Sequence, residues 1–215
     1  MEAIEWSFLE QMPGSRALNP KKYQILEAAL KIIHDFGLQG LSVTAISKET
    51  GLSKSLILYH YEDNDLILLD LFFFLGKLAR RRIEEHLVGS LTYEQKVYSM
   101  LKALFTYVVR SPEVGEFFVL MFHEATKTES MQAAHQNIQV QAIEIWEKIF
   151  FESMRYNDLK VLKNSCRGVH NLLTGTLLMM ISGRDVKNYK AHMETLKYNV
   201  GVLLSIELPK EEFVI

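Results

Sequence analysis

Apolar residues recur along most of this chain every three or four positions, and almost nowhere with the every-second-position alternation of a half-buried strand. The pattern predicts an all-α protein of about nine helices. Asn19 and Pro20 form a cap and first turn, after which Ile25, Ala29, Ile32, Ile33 and Phe36 mark the apolar stripe of a first helix. Ser42 is a good N-cap for a short second helix that carries Val43, Ile46 and Ser47 inward, and Gly51 suits the left-handed turn that stops it. Ser53 then caps a third. Leu52, Leu56 and Ile57 form the apolar side of this third helix and leave Lys54, Ser55 and Tyr59 outward. Glu62-Asp63-Asn64-Asp65 is a polar break in which Asn64 or Asp63 can cap a fourth helix. That helix runs to about His86, with Leu66, Leu69, Phe72, Phe73 and Leu78 as its broad apolar surface.

The remainder continues the helical rhythm. Leu87 to Leu91 reads as a loop, and Thr92 with Gln95 as a capping box opening a helix with Val97, Met100, Leu101, Leu104, Phe105 and Val108 at core spacing. Ser111-Pro112 ends it and starts the next, whose segment Phe117 to Ala125 is apolar nearly all round and is therefore expected to be buried on several sides. Ser130 opens a seventh helix with Ile138, Ala142, Ile145, Trp146, Ile149 and Phe150 as its inner stripe, and Asn157-Asp158 breaks the chain again. In the last two helices, Gly168, Leu172, Gly175, Met179 and Ser182 form one stripe, and Tyr189, Met193, Leu196, Val200 and Leu203 another. Two such helices can pair with their copies as a four-helix bundle, although either stripe can equally pack within one chain.

Composition narrows the class. The 215 residues are 48% hydrophobic and 23% charged, with a net charge of -2, so the whole molecule is not a basic nucleic-acid binder. The charge is uneven: from Lys21 to Tyr61 five lysines (21, 22, 31, 48, 54) face three acids (Glu27, Asp35, Glu49), a local net of +2. A solvated helical face gives the same excess, and a dimer would double it. One cysteine, Cys166, excludes an intrachain disulfide framework and reads as a small core residue rather than a thiol sensor. No apolar run approaches the ~20 residues of a membrane span and no signal-peptide pattern opens the chain, so a cytoplasmic protein is expected.

Two capped helices joined by a glycine turn, the second presenting polar side chains at its start, have the plan of a helix-turn-helix, whose second helix enters the major groove. The stretch ILEAALKIIHDFGLQGLSVTAISKETGLSKSLILYHYEDNDLILL, within Tyr23 to Leu69, resembles the DNA-binding domain of the TetR family of transcriptional regulators. The likeness rests on Ala28, Ala29 and Phe36 before Gly37, on Ser42-Val43, Ile46 and Gly51-Leu52-Ser53, and on the Tyr59-His60-Tyr61 cluster. It implies an arm over residues 1–18, a three-helix DNA-binding domain over 19–65, and a larger helical effector-binding and dimerisation domain over 66–215. It also implies a dimer, formed through the last two helices, that reads a near-palindromic operator and is most simply a repressor. Carried over position by position, Lys21 and Lys22 become backbone contacts at the start of the first helix. Ser42 and Thr44 lie near the backbone, Ser53, Lys54 and Ser55 at the head of the recognition helix, and Tyr59 and His60 toward its end. Lys54 would take a guanine edge or a phosphate. Leu58 stands where the family commonly has tyrosine, and Asn64 where it has lysine; each removes a backbone contact, so a shallow salt dependence is expected.

The central helices offer Phe105, Phe118, Met121, Phe122, Trp146, Phe150, Leu173 and Leu177 as the wall of a ligand cavity, with His123, Asn171 or Thr174 as its polar members. Each is also an ordinary core residue, but together they favour a small apolar or aromatic effector over a highly charged one. The dimer contacts expected are Gly168, Leu172, Gly175, Met179, Tyr189, Met193, Leu196, Val200 and Leu203. No cofactor or metal is expected. Catalysis has little support, since His123-Glu124 lacks the second histidine of a zinc-protease helix and no glycine-rich phosphate loop precedes a helix. The alternative kept open is a helical adaptor of the same shape that has lost specific DNA binding.

Overall fold

The computed structural model describes residues 20–152, 158–211 and 213. The expected arm over residues 1–18, the Asn19 cap and Asn157 lie outside these. Nine α-helices, and no strand, occur among the described residues: α1 (Pro20–Phe36), α2 (Val43–Thr50), α3 (Lys54–His60), α4 (Asn64–His86), α5 (Tyr93–Arg110), α6 (Pro112–Glu124), α7 (Glu129–Glu152), α8 (Leu159–Ser182) and α9 (Tyr189–Leu204). None is long and apolar enough to cross a membrane.

Local chemistry sets most boundaries. Asp63, rather than Asn64, caps α4 by accepting from the Leu66 amide, and Asn64 instead donates its side-chain amide to the Leu41 carbonyl at 3.0 Å. The capping box at Thr92 and Gln95 is formed in both directions, and Pro112 occupies the first turn of α6. Helix α7 is held at its start by Thr128, whose hydroxyl accepts from the Met131 amide at 3.3 Å.

Buried side chains form two clusters. The first joins α1, α2, α3 and α4 to the inner sides of α6 and α7, through Ile25, Ile46, Ile57, Phe72, Phe117 and Met131. The second, around Phe105, Trp146, Phe150, Val169 and Leu196, holds α5, α7, α8 and α9, and Phe213 closes it edge-on to Phe105. Cys166 lies in it, fully buried, and burial pushes its thiol up to about 12, so it is an inert core residue.

Two of the expected apolar stripes each have a member that faces solvent. Phe36 is 72% exposed at the end of α1, lying over Gly40, where an added Cβ would come within 2.6 Å of its own Cβ. On α4 Phe72 and Leu78 are buried as expected, joined by Ile67, Leu68, Leu71 and Leu75, whereas Leu66 is 41% exposed. The Arg80-Arg81-Arg82 run pairs along its own helix with Glu84 and Glu85.

Candidate DNA-reading face and effector cavity

The turn between α2 and α3 is tied by short-range hydrogen bonds. Ser42 accepts from the Ala45 amide at 3.1 Å, and Gly51 ends α2 at φ 72°, the left-handed conformation that glycine adopts without strain. Ser47 donates to the Leu52 carbonyl at 2.7 Å, and Thr50 accepts from the Leu52 amide at 3.2 Å, so the polar face of α2 holds the turn. Ser53 caps α3 by accepting from Leu56. Ile57 is fully buried beneath α3, which leaves Ser53, Lys54, Ser55, Leu58 and Tyr59 exposed on its outer side together with Thr44 and Lys48 of α2.

Behind this face lies a small electrostatic junction. Asp70 of α4 accepts from the Tyr61 hydroxyl at 3.0 Å and pairs with Lys22 at 3.4 Å, while the Lys22 ammonium also sits 4.8 Å over the Tyr61 ring. Burial and the Asp70 carboxylate push the Tyr61 phenol well above its ordinary range, so it stays a donor. A second tie, His34 Nδ1 to Glu116 at 2.7 Å, joins α1 to α6.

Between α4, α5, α6, α7 and α8 lies a cavity of about 430 Å³. Phe73, Phe118, Phe122, Trp146, Leu173 and Leu177 are among the apolar members of its wall. Polar atoms enter on the α7–α8 side: His170 Nε2 bonds Gln139 Oε1, Gln139 Nε2 lies 3.3 Å from His135 Nε2, and Thr174 Oγ1 lies 3.5 Å from His170 Nε2. Burial holds both imidazoles below the usual histidine range. The His135 ring is stacked on Phe72 of α4 and meets Phe122 of α6 edge-on at 4.4 Å. Asp70 is also part of the wall, so the junction under the outer face of α3 and the cavity share a residue.

Residues 25–70, which contain both capped helices and Asp70, match the sequence model of bacterial regulatory proteins of the tetR family. Over that segment the chain resembles the tetR family. Its fold extends the likeness beyond the matched residues. A TetR regulator from Haloarcula marismortui superposes with a TM-score of 0.74 at 14% identity, over 85% of this chain and 97% of that one. FadR from Bacillus subtilis, solved with stearoyl-CoA, gives 0.66 at 17% identity over 81% and 96%. A regulator from Saccharomonospora viridis, solved with choline, gives 0.65 at 17% over 83% and 95%. No curated protein matches the chain in sequence.

The structure sorts the residues singled out in the sequence. Thr44, Ser53, Lys54, Ser55 and Tyr59 are exposed on the two short helices and their caps, and Ser42 is half-buried. Lys21 is exposed and reaches Gln24, Lys22 is drawn to Asp70, and His60 turns inward with Nε2 buried and without a partner among the described residues. Of the cavity residues, Phe118, Phe122, Trp146, Leu173, Thr174 and Leu177 line it. Phe105, Met121 and Phe150 do not: they are fully buried in the packed clusters, as their spacing alone allowed. His123 and Asn171 lie on the exterior, while the polar members present, His135, Gln139 and His170, were not foreseen. An i, i+4 polar pair on α7 facing a histidine on α8 was the available signal.

The dimer stripe is corrected in the same way. Met193, Leu196 and Val200 are fully buried and pack α9 onto its own subunit, because α9 carries apolar residues on two faces and the inner one was taken. Gly168 is spent on that packing, since an added Cβ would meet Leu203 at 2.8 Å, Tyr189 packs on Phe213, and Leu172 is packed against the second cluster. Of the expected contacts, Met179 (70% exposed) and Leu203 (43%) face outward and the surface over Gly175 is open, and Tyr198 (72%) and Val202 (63%) are exposed as well.

Proposed function

We propose that the chain is a ligand-responsive transcriptional repressor that binds a near-palindromic operator as a homodimer and releases it when a small, largely apolar effector fills the cavity. The observation that carries the DNA-binding part is the outward head of α3. Lys54 is exposed there with no ion pair among the described residues, flanked by Ser53, Ser55 and Tyr59, whose polar atoms reach outward. Ser42 accepts in its cap and so keeps its own hydroxyl hydrogen for a phosphate oxygen, and of the Ser53 and Ser55 hydroxyls, 3.2 Å apart, the one that accepts keeps its hydrogen for the same use. Dimerisation is supported by the exposed Met179, Tyr198 and Val202 beside open Gly175. Effector control is supported by the cavity wall, which includes α4 and α6, the helices tied to α1 and α3 through Asp70 and Glu116. Stearoyl-CoA and choline in the two structural neighbours support a small-molecule site in a fold of this kind. An effector acts by preferring a spacing of the two heads that cannot span adjacent grooves, which shifts the population away from DNA.

Selection of bound sequences from random DNA with the full-length protein tests this reading. The expected result is an inverted repeat with half-site centres one helical turn, ~34–36 Å, apart. Lys54→Ala is expected to weaken binding to that site by about tenfold and to relax the preference at one position if Lys54 reads a base. Folded protein that enriches no repeat would instead favour the adaptor reading, to which Leu58, 47% exposed on α3, and Asn64, turned to the Leu41 carbonyl, lend some support.

A further inference from the structure

The polar side of the cavity has an unequal count of donors and acceptors. Gln139 fixes the protons. Its carbonyl oxygen only accepts, so His170 donates from Nε2; its amide nitrogen only donates, so His135 Nε2 accepts and the His135 hydrogen sits on Nδ1. Thr174 Oγ1 lies 3.5 Å from a His170 Nε2 whose hydrogen already goes to Gln139, so the threonine hydrogen is uncommitted. Three donors are left over among the described residues: His135 Nδ1–H, the second amide hydrogen of Gln139, and the Thr174 hydroxyl. Against them on the same side stands one acceptor, His170 Nδ1, while Tyr107 of α5 adds a buried hydroxyl, without a partner among the described residues, that can donate or accept.

The charged members of the wall do not alter this count. Asp70, Lys77 and Arg80 all belong to α4, and Asp70 is engaged by Lys22 and Tyr61 while Arg80 pairs with Glu84. An anion seated on the α7–α8 side would meet only neutral donors, since burial holds both imidazoles uncharged and Lys77 stands exposed on α4, and a cation would find Asp70 already paired with Lys22. A pure hydrocarbon would leave all three donors unsatisfied in an apolar surround.

Resting on the reading of this cavity as the effector site, we propose that the effector is an uncharged, mainly apolar molecule bearing a carbonyl oxygen, of ketone, ester or lactone type, which accepts from His135, Gln139 and Thr174. Docked there, it lies against the imidazole that touches Phe72 of α4 and Phe122 of α6. The same oxygen therefore anchors the ligand and presses on the two helices that reach the DNA-reading head.

Direct binding to the full-length protein tests the class, using octyl methyl ketone, decanoate, decylamine and decane as probes of matched chain length. The ketone is expected to bind about tenfold more tightly than decane, the worth of one or two net hydrogen bonds, and more tightly than either ion. Gln139→Leu and Thr174→Val, each checked for an unchanged helical spectrum and melting transition, are expected to shrink the ketone-over-decane ratio. Decanoate binding best, with affinity rising as the pH falls, would overturn the proposal by showing a charged histidine pair. An unchanged ratio in both folded variants, or no binding of any probe, would overturn it too. Operator selection is a separate readout: protein that prefers the ketone but enriches no DNA repeat leaves the ligand class standing and removes the regulator. Protein that enriches a repeat but shows no ketone preference does the reverse.

Discussion

Asp70 is the residue through which the cavity and the reading head meet. One carboxylate receives the Tyr61 hydroxyl from the end of α3 and the Lys22 ammonium from the start of α1, and it also forms part of the cavity wall. In Asp70→Asn the amide oxygen still accepts from Tyr61 but no longer attracts Lys22. Because the Lys22 pair is partly solvated, the stability lost should stay within ~1 kcal/mol. The expected outcome is a small drop in melting temperature and a weaker effect of effector on operator affinity, checked by titrating DNA with and without ligand. Unaltered ligand response would remove Asp70 from the coupling. Nothing in the sequence pointed to this residue. Lys22 and Asp70 are 48 positions apart, and such pairings leave no periodic trace. His135, Gln139 and His170 escaped notice for a related reason, since polar residues on long helices read as solvated until a neighbouring helix covers them.

Among the elements, legibility followed the range of the interaction. The caps at Ser42, Ser53 and Thr92 and the left-handed Gly51 were readable because each is settled within four residues. Faces were harder. A helix whose apolar residues cover more than half of its circumference does not declare which stripe meets its neighbour. Hence α4 buries Ile67 and Leu71 rather than Leu66, and α9 buries Met193 and Val200 while showing Tyr198 and Val202. In α6 the nearly continuous apolar run divides in two. Phe117 and Met121 enter the first cluster, and Phe118, Val119 and Phe122, which line the cavity, remain half-buried.

At the scale of the whole molecule, the exposed apolar positions of α8 and α9 predict self-association. Aspartate at both Met179 and Val202 should yield a monomer with unchanged helical content, read by sedimentation at micromolar protein; a native chain already monomeric there would refute the dimer. The salt dependence of operator binding follows from the lysine placements. Lys22 and Lys31 are committed to Asp70 and Glu49, while Lys48, Lys54 and Lys21, which reaches Gln24, are exposed. Up to three phosphate contacts per subunit give a dimer a slope of log affinity against log salt of about -5 or shallower. A gel-shift series with a slope near the ~-10 of a strongly basic repressor would contradict it. Trp146, 1% exposed in the cavity wall, is one of two tryptophans in the chain, the other being Trp6. With Trp6 replaced by phenylalanine, the remaining indole becomes an optical gauge of cavity filling, so occupancy can be followed by its emission without a label and without knowing the operator.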